Sequence, residues 1–227
     1  TQVIDGYPGH EHSFPIFPLY DDVIDLVAFS RTVYTPTLLV AYGGPWAENY
    51  FYAIERPHDE PKLQRFMPHQ NLDERTRRRG AGWFMEEEHV FEEQAVFVKD
   101  LVEAGGRAGV GSHGQLQGLG YHWELWAMAA GGISEHDILK VATIQGADGI
   151  GLDDDLGSIE EGKLADLVIL NSNPLDNIRN TSDISHIMKN GYLYEAETLD
   201  EVFPNQKELP TFWWQNTGPM DVPGVDR

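Results

Sequence analysis

The sequence contains no cysteine, and this absence excludes disulfide bonds and thiolate metal sites. Basic residues are scarce, because 16 Lys and Arg stand against 37 Asp and Glu and give a formal net charge of −21. Such a negative field repels phosphate backbones, so we expect no nucleic-acid partner. Long apolar runs are absent as well. None approaches the ~18 residues that a membrane-spanning helix needs, so we expect no membrane partner.

The chain has 227 residues and starts at Thr1, with neither an initiator methionine nor a signal peptide. We therefore interpret it as part of a longer protein. Strand and helix patterns alternate before about residue 148, and hairpin patterns follow it. This change predicts an α/β part over residues 1–148, a β-rich part over residues 149–203 and an extended tail over residues 204–227.

Hydrophobic periodicity predicts the elements of the α/β part. Apolar residues at threes and fours, and a Ser134 cap, predict helices over residues 21–31, 85–104, 122–130 and 134–147. Continuous apolar runs predict buried strands that begin at residue 3 and cover residues 34–41 and 107–111. Between residues 46 and 84 we expect a long excursion with short helices.

The β-rich part carries its own local signals. A strand is predicted over residues 164–170, and a hairpin is predicted over residues 184–194. Asn190-Gly191 lies between alternating apolar residues of that hairpin, and this dipeptide suits the two central positions of a type I′ turn.

The motif GSIEEGKLADLV at residues 157–168, followed by Asn-Pro-Leu at 173–175, resembles the signature near the C-terminus of amidohydrolases. Residues 139–147 resemble the helix that closes the barrel of these enzymes, and residues 187–191 resemble a hairpin of their small β-sandwich. The segments 34–37, 42–50 and 111–124 resemble an imidazolonepropionase-related subgroup, in which the barrel often follows a TolB-like propeller. The resemblance covers nearly the whole chain.

The resemblance implies an α/β fold: the C-terminal part of a TIM-type (β/α)8 metal-dependent hydrolase barrel, followed by part of a β-sandwich. Eight βα units need roughly 250 residues, whereas the signature that follows the barrel begins at residue 157. Only two further strands fit before it, so His10-Glu11-His12 is placed after strand six. The missing N-terminal barrel half is then an expected partner, in the same or a separate polypeptide. A homo-oligomer is a further expectation.

The resemblance also implies a hydrolase that acts on carbon–nitrogen bonds in amide, cyclic amide or peptide-like substrates. Divalent ions in this family, commonly zinc, lower the pKa of a bound water and polarise a carbonyl. The resemblance assigns His12 as the strand-six metal ligand and His113 as a metal ligand or base after strand eight. His122 and Glu124 match a His-x-Glu pair that orients substrate.

The chain departs from the family pattern at strand eight, where Gly111-Ser112-His113 stands in place of Gly-Thr-Asp. A neutral imidazole binds a metal or acts as a base, but it supplies no negative charge. A non-catalytic binding module is therefore a competing hypothesis, and a structural subunit is a third. Related propeller-bearing proteins are often exported, so we expect a periplasmic or secreted protein.

Overall fold

The computed structural model describes residues 2–76, 84–113 and 116–216, which form an α/β structure. The strands are β1 Gly9–Glu11, β2 Val33–Thr35, β3 Arg107–Ala108, β4 Leu167–Leu170, β5 Ile184–Lys189, β6 Tyr192–Glu195 and β7 Glu201–Phe203. The α-helices are α1 Asp21–Ser30, α2 Ala47–Glu55, α3 Pro61–Phe66, α4 His69–Thr76, α5 Phe91–Glu103, α6 Leu119–Ala130, α7 Glu135–Lys140 and α8 Gly146–Gly149. Strands β1, β2 and β3 form a parallel sheet, and β4 to β7 form an antiparallel sheet in chain order.

The parallel sheet is short, and its central strand β2 is the most deeply buried. Gly9 pairs with Val33, and Val33 pairs with Arg107, so the three strands run side by side in one direction. Tyr34 at the centre is 1% exposed and meets the ring of Phe97 from α5 edge-on at 5.0 Å. Helical cover of this kind explains why Val33 and Tyr34 of β2 are both buried.

Three strand predictions in this part are wrong in their extent, and the strand expected over residues 107–111 ends at Ala108. The strand expected over residues 34–41 stops at Thr35, because Thr37 takes a left-handed conformation with φ 50° and Leu38–Val40 forms a 3-10 helix. The strand expected from residue 3 begins instead at Gly9. Residues 2–6 form a turn in which Gly6 N–H donates to the Val3 carbonyl at 3.1 Å.

The helix predictions are confirmed with shifted ends. Helix α5 begins at Phe91 rather than near residue 85, because Glu86–Glu88 forms a separate 3-10 turn. The Ser134 hydroxyl accepts the Asp137 N–H at 3.2 Å, which confirms the predicted cap of α7. This helix continues through a π-helical stretch, Val141–Gln145, into α8. The short helices predicted after residue 46 are α2, α3 and α4; residues 77–83 lie outside the described residues.

The antiparallel sheet contains the predicted hairpin. Asn190 and Gly191 have φ values of 51° and 80°, the positive angles that a type I′ turn needs, and Lys189 pairs with Tyr192 across the turn. The strand predicted over residues 164–170 is shorter than expected, since β4 begins at Leu167.

The tail packs on α3 as far as it is described. Trp214 Nε1–H donates to the Arg65 carbonyl at 3.1 Å, and the Trp214 ring stacks on Phe212 at 4.4 Å. Residues 217–227 of the predicted tail lie outside the described residues. Among the residues whose structure is described, no helix is both long enough and apolar enough to cross a bilayer.

Candidate functional site

Three polar side chains lie near one another at the carboxyl ends of the parallel strands, and a fourth binds the backbone directly after Thr37. His12 follows β1 directly, Thr37 lies just beyond β2, and His113 follows β3, while Glu124 reaches the same place from α6. We call His12, Thr37, His113 and Glu124 the strand-end cluster. The rings of His12 and His113 have centroids 5.5 Å apart. The carboxyl ends of parallel strands are where open and closed α/β sheets carry their ligands.

His12 is held by two hydrogen bonds. Its backbone N–H donates to the Thr35 carbonyl at 2.8 Å, which extends the strand pairing by one residue although φ of His12 is 73°. Its ring Nδ1 lies 2.7 Å from Thr37 Oγ1, within hydrogen-bond distance. The other ring nitrogen, Nε2, is therefore the one left for an external ligand.

His113 comes close to His12 because the chain before it lacks bulk. A Cβ atom added at Gly111 would lie 2.3 Å from Cγ2 of Thr35 and 3.0 Å from Cγ2 of Thr37, so a side chain there would push β2 and the loop apart. His113 itself has φ 50° and is exposed. Residues 114 and 115 lie outside the described residues.

Glu124 is buried completely, with 0% of its surface exposed. Its Oε1 accepts the Leu38 N–H at 2.7 Å and its Oε2 accepts the Leu39 N–H at 3.0 Å. Burial raises the pKa of Glu124 to about 8, and the two backbone hydrogen bonds oppose this rise. The described geometry thus places Glu124 against backbone, and its predicted contact with substrate stays a prediction.

His122 points away from Glu124, because two residues along a helix correspond to a rotation of roughly 200°. Its Nδ1 lies 3.2 Å from Thr181 Oγ1 in the 3-10 helix Ile178–Ser182. Burial, together with a smaller effect of the nearby Lys62 ammonium, lowers the pKa of His122 to about 4. His122 is consequently a neutral imidazole at physiological pH.

His122 lines a cavity of about 400 Å³, which we call the side pocket, between α3, α6 and the antiparallel sheet. Its wall is largely apolar and includes Leu63, Phe66 and Trp126. Lys62 also lines it, and its Nζ lies 2.7 Å from Glu197 Oε1. An apolar cavity with a few polar groups is the usual form of a small-molecule site. The predicted contact of His122 with substrate stays a prediction.

The strand-end cluster fits part of a metal centre. His12 and His113 both offer imidazole nitrogens. Histidines that bind a metal usually make a hydrogen bond through their second ring nitrogen, and Nδ1 of His12 has such a partner in the Thr37 hydroxyl. A catalytic zinc needs three protein ligands, however. Within residues 2–76, 84–113 and 116–216, no group of three His, Asp or Glu side chains could hold an ion. The described residues thus offer two imidazoles, fewer than a catalytic zinc needs.

The sequence did not single out Thr37, Thr181 or Lys62. Thr37 stands in a Thr-Pro-Thr segment directly after a buried strand, and that position was the available signal for a residue at a strand end. Thr181 and Lys62 carry no local signal, because they meet His122 from elements 59 and 60 residues away along the chain.

The family model described as "Amidohydrolase family" matches residues 71–193, which include His113, His122 and Glu124. A curated protein, the 5-methylthioadenosine/S-adenosylhomocysteine deaminase of Teredinibacter turnerae, is 44% identical over 62 residues, which are 27% of this chain and 14% of that deaminase.

Solved structures show the same fold. A Xaa-Pro dipeptidase with bound methionine has a TM-score of 0.56 at 24% identity, covering 86% of this chain and 41% of that one. Molinate hydrolase has a TM-score of 0.55 at 18% identity, with 84% and 38% covered. The ochratoxinase of A. niger has a TM-score of 0.55 at 18% identity, with 85% and 38% covered.

The chain therefore spans about two fifths of the length of these solved structures. Its α/β fold is that of amidohydrolase-superfamily structures. The family model covers more than half of the 227 residues. The chain belongs to the amidohydrolase family.

Proposed function

We propose that the protein containing this chain is a metal-dependent hydrolase that acts on carbon–nitrogen bonds in amide, cyclic amide or peptide-like substrates. One observation carries the proposal: in a member of the amidohydrolase family, two imidazoles from distant segments lie 5.5 Å apart at the ends of parallel strands. The names of its relatives, a deaminase, a dipeptidase and two further hydrolases, support the same class of bond.

In this proposal the chain contains strands six to eight of a (β/α)8 barrel, followed by part of a β-sandwich. Three parallel strands with intervening helices, then a separate antiparallel sheet, support this order. The length of the chain relative to the solved structures supports it too. The finer assignment is to the imidazolonepropionase-related subgroup, with a TolB-like propeller in the same protein, and it rests on the motifs at residues 34–50 and 111–124.

His12 and His113 would hold a divalent ion, zinc in our proposal, together with ligands from the N-terminal half of the barrel. When bound, the ion supplies a Lewis acid and a water of lowered pKa. His113 is exposed at this place, and in the alternative role it would not bind the ion but would act as the base that accepts a proton from water. His12 is half-buried and fixed by two hydrogen bonds, so its role is to bind and orient.

The side pocket lies on the opposite side of α6 from the strand-end cluster, so in this proposal it would bind an apolar group away from the bond that is cleaved. A neutral His122 donates or accepts one hydrogen bond there without attracting counter-ions, and Leu63, Phe66 and Trp126 exclude water. The missing barrel half is the partner that completes the site. We also propose that the protein is exported to the periplasm or secreted. A homo-oligomer is compatible with these assignments.

One observation favours a second candidate, a non-catalytic binding module. Among the described residues the strand-end cluster has no third metal ligand, and His113 brings no negative charge to the position of the family's aspartate. The two candidates differ in whether the whole protein holds an ion and turns over substrate.

The first test is the metal content of the full-length protein, purified without added metal and without chelator and measured by elemental analysis. We expect about one zinc or similar ion per chain, which His12→Asn and His113→Asn each lower sharply. His136→Asn is the matched control, because His136 is an exposed histidine on α7. No ion after zinc is offered, or equal content in all variants, contradicts the proposal.

The second test is hydrolysis of Xaa-Pro dipeptides, N-acyl amino acids and cyclic amides by the metal-loaded protein. Turnover that disappears in His113→Asn and persists in His136→Asn supports the enzyme. Full metal content without turnover of any of these classes favours the binding module.

A further inference from the structure

Thr37 has a backbone conformation that its side chain disfavours. It is a β-branched residue with φ 50° and ψ 54°, in the left-handed region, and only 5% of its surface is exposed. A non-glycine residue in this region is strained and persists only where its surroundings determine its conformation. Such outliers concentrate at functional sites, so the surroundings of Thr37 carry information.

Glu124 supplies the first constraint. Thr37 is the N-cap residue of the 3-10 helix Leu38–Val40, but its side chain makes no capping hydrogen bond. A threonine at this position ordinarily uses its hydroxyl to accept one of the free N–H groups of the first turn. Here the Glu124 carboxyl group accepts the Leu38 and Leu39 N–H groups instead. Glu124 of α6 therefore caps this 3-10 helix in place of Thr37.

Because Glu124 accepts these N–H groups, the Thr37 hydroxyl is available for a hydrogen bond with His12. Thr37 Oγ1 lies 2.7 Å from Nδ1 of His12, and the two residues are 25 positions apart in the chain. Thr37 also adjoins Gly111, since a Cβ there would lie 3.0 Å from its Cγ2. Thr37 therefore contacts both loops that carry the two histidines.

We propose that Thr37 is the positioning residue of His12, with its hydroxyl accepting the Nδ1–H so that the lone pair resides on Nε2. Glu124 is a positioning residue one step further away, because it fixes the backbone that aims the Thr37 hydroxyl. The inference rests on the proposed function only for the ligand role of His12; the hydrogen bond itself is independent of any metal.

The direct test is the tautomer of His12 in the full-length, metal-free protein. Long-range proton–nitrogen NMR on ¹⁵N-histidine-labelled protein, at a pH well above the ordinary histidine pKa of ~6.5, reports which ring nitrogen carries the proton. His12→Asn identifies the signal. We expect the Nδ1–H form in the wild type and in Thr37→Ser, which keeps the hydroxyl. Thr37→Val, which has the same shape without the hydroxyl, should show a mixture of both forms.

A wild-type His12 that carries its proton on Nε2 overturns the inference, and so does a Thr37→Val variant with an unchanged tautomer. Glu124→Gln keeps one good acceptor for two N–H groups, so we expect it to move the His12 signal towards that of Thr37→Val. Glu103→Gln on α5 is the matched control, because Glu103 has a largely exposed side chain. An equal response of both glutamine variants contradicts the role of Glu124.

Zinc affinity separates this inference from the proposed function. Loss of a group that orients a metal-bound histidine typically lowers metal affinity ~10–100-fold, and we expect this loss for Thr37→Val with recovery in Thr37→Ser. Unchanged affinity in Thr37→Val, with a loss in His12→Asn, overturns the positioning role and leaves the proposed function standing. Unchanged zinc affinity in His12→Asn overturns the proposed ligand role of His12. In that case the NMR measurement of the His12 tautomer still tests whether Thr37 accepts the Nδ1–H.

Discussion

Two regions of the molecule lie on either side of helix α6, and burial shifts the pKa of an ionisable group in opposite directions in the two regions. On one side Glu124 enters the strand-end cluster, where burial raises its pKa to about 8. On the other side His122 enters the side pocket, where burial lowers its pKa to about 4. Burial disfavours the charged form in both cases. Both groups therefore approach neutrality, one by keeping its proton and the other by losing it.

The regions differ in what surrounds that neutral group. The strand-end cluster is built from backbone N–H groups, a hydroxyl and imidazoles, and its parts fix one another's conformation. The side pocket is an apolar cavity with few polar groups. Helix α6 therefore separates a hydrogen-bonded polar cluster from an apolar cavity that can hold a ligand. Each prediction below tests either the strand-end cluster or the side pocket.

The largest expected effect is the pH dependence of stability due to Glu124. Between the ordinary pKa of 4.5 and the folded value of about 8, the unfolded chain has lost this proton while the folded chain keeps it. The free energy of unfolding therefore falls as pH rises through this window, by at most ~5 kcal/mol at ~1.4 kcal/mol per pKa unit. Urea unfolding across the window measures it. A Glu124→Gln variant that retains this slope contradicts the assignment.

Glu124→Leu should give the next largest effect. Leucine offers no acceptor, so the Leu38 and Leu39 N–H groups stay buried without a partner. Each such group costs about 1–3 kcal/mol, partly offset by removal of the buried carboxyl, and we expect a loss of about 2–4 kcal/mol in the free energy of unfolding. Thermal and urea unfolding measure the loss. A change below about 1 kcal/mol means that water or other groups satisfy these amides.

His122 should produce the opposite pH dependence. Between its ordinary pKa of 6.5 and the folded value of about 4, the unfolded chain binds a proton that the folded chain rejects. The free energy of unfolding therefore falls as pH falls through this window, by at most ~3 kcal/mol. His122→Gln should flatten this acid limb and leave the Glu124 limb unchanged. If both limbs change together, the two sides of α6 are not independent.

Lys62→Met should have the smallest effect. Removing the ammonium relieves its repulsion of the His122 imidazolium, so the pKa of His122 rises. We expect only a small rise in the pKa of His122, because Lys62 is paired with Glu197 and salt screens the remainder. NMR titration of His122 measures it, with Lys140→Met on α7 as control. A fall in the pKa of His122, or an equal change in both variants, contradicts the electrostatic link.

Much of the fold was predictable from local sequence. The apolar periods of α1, α5 and α6, the Ser134 cap and the Asn190-Gly191 turn each depend on residues close together in the chain. The strand over residues 34–41 was mispredicted for a non-local reason. Its apolar run is buried as expected, but the chain turns at Thr37, where Glu124 from 87 positions later accepts the free N–H groups.

The candidate site was likewise predictable from the sequence only in part. His12, His113, His122 and Glu124 were singled out by motifs, and the structure brings the first two together and turns the last two to opposite sides of α6. The motif at residues 34–37 contains Thr37 but assigned it no role, because its role depends on its contact with His12. A hydroxyl becomes a positioning group only when a distant carboxyl takes over its ordinary capping bond.

The sequence by itself determined the class of fold, the positions of most helices and the hairpin, and the family to which the signature at residues 157–168 belongs. These follow from short-range periods, caps and motifs that do not require the chain to be folded. Only the tertiary structure decided which groups share an environment. Burial, and with it the pKa of Glu124 and His122, arises when elements far apart in sequence close around a side chain and remove its water.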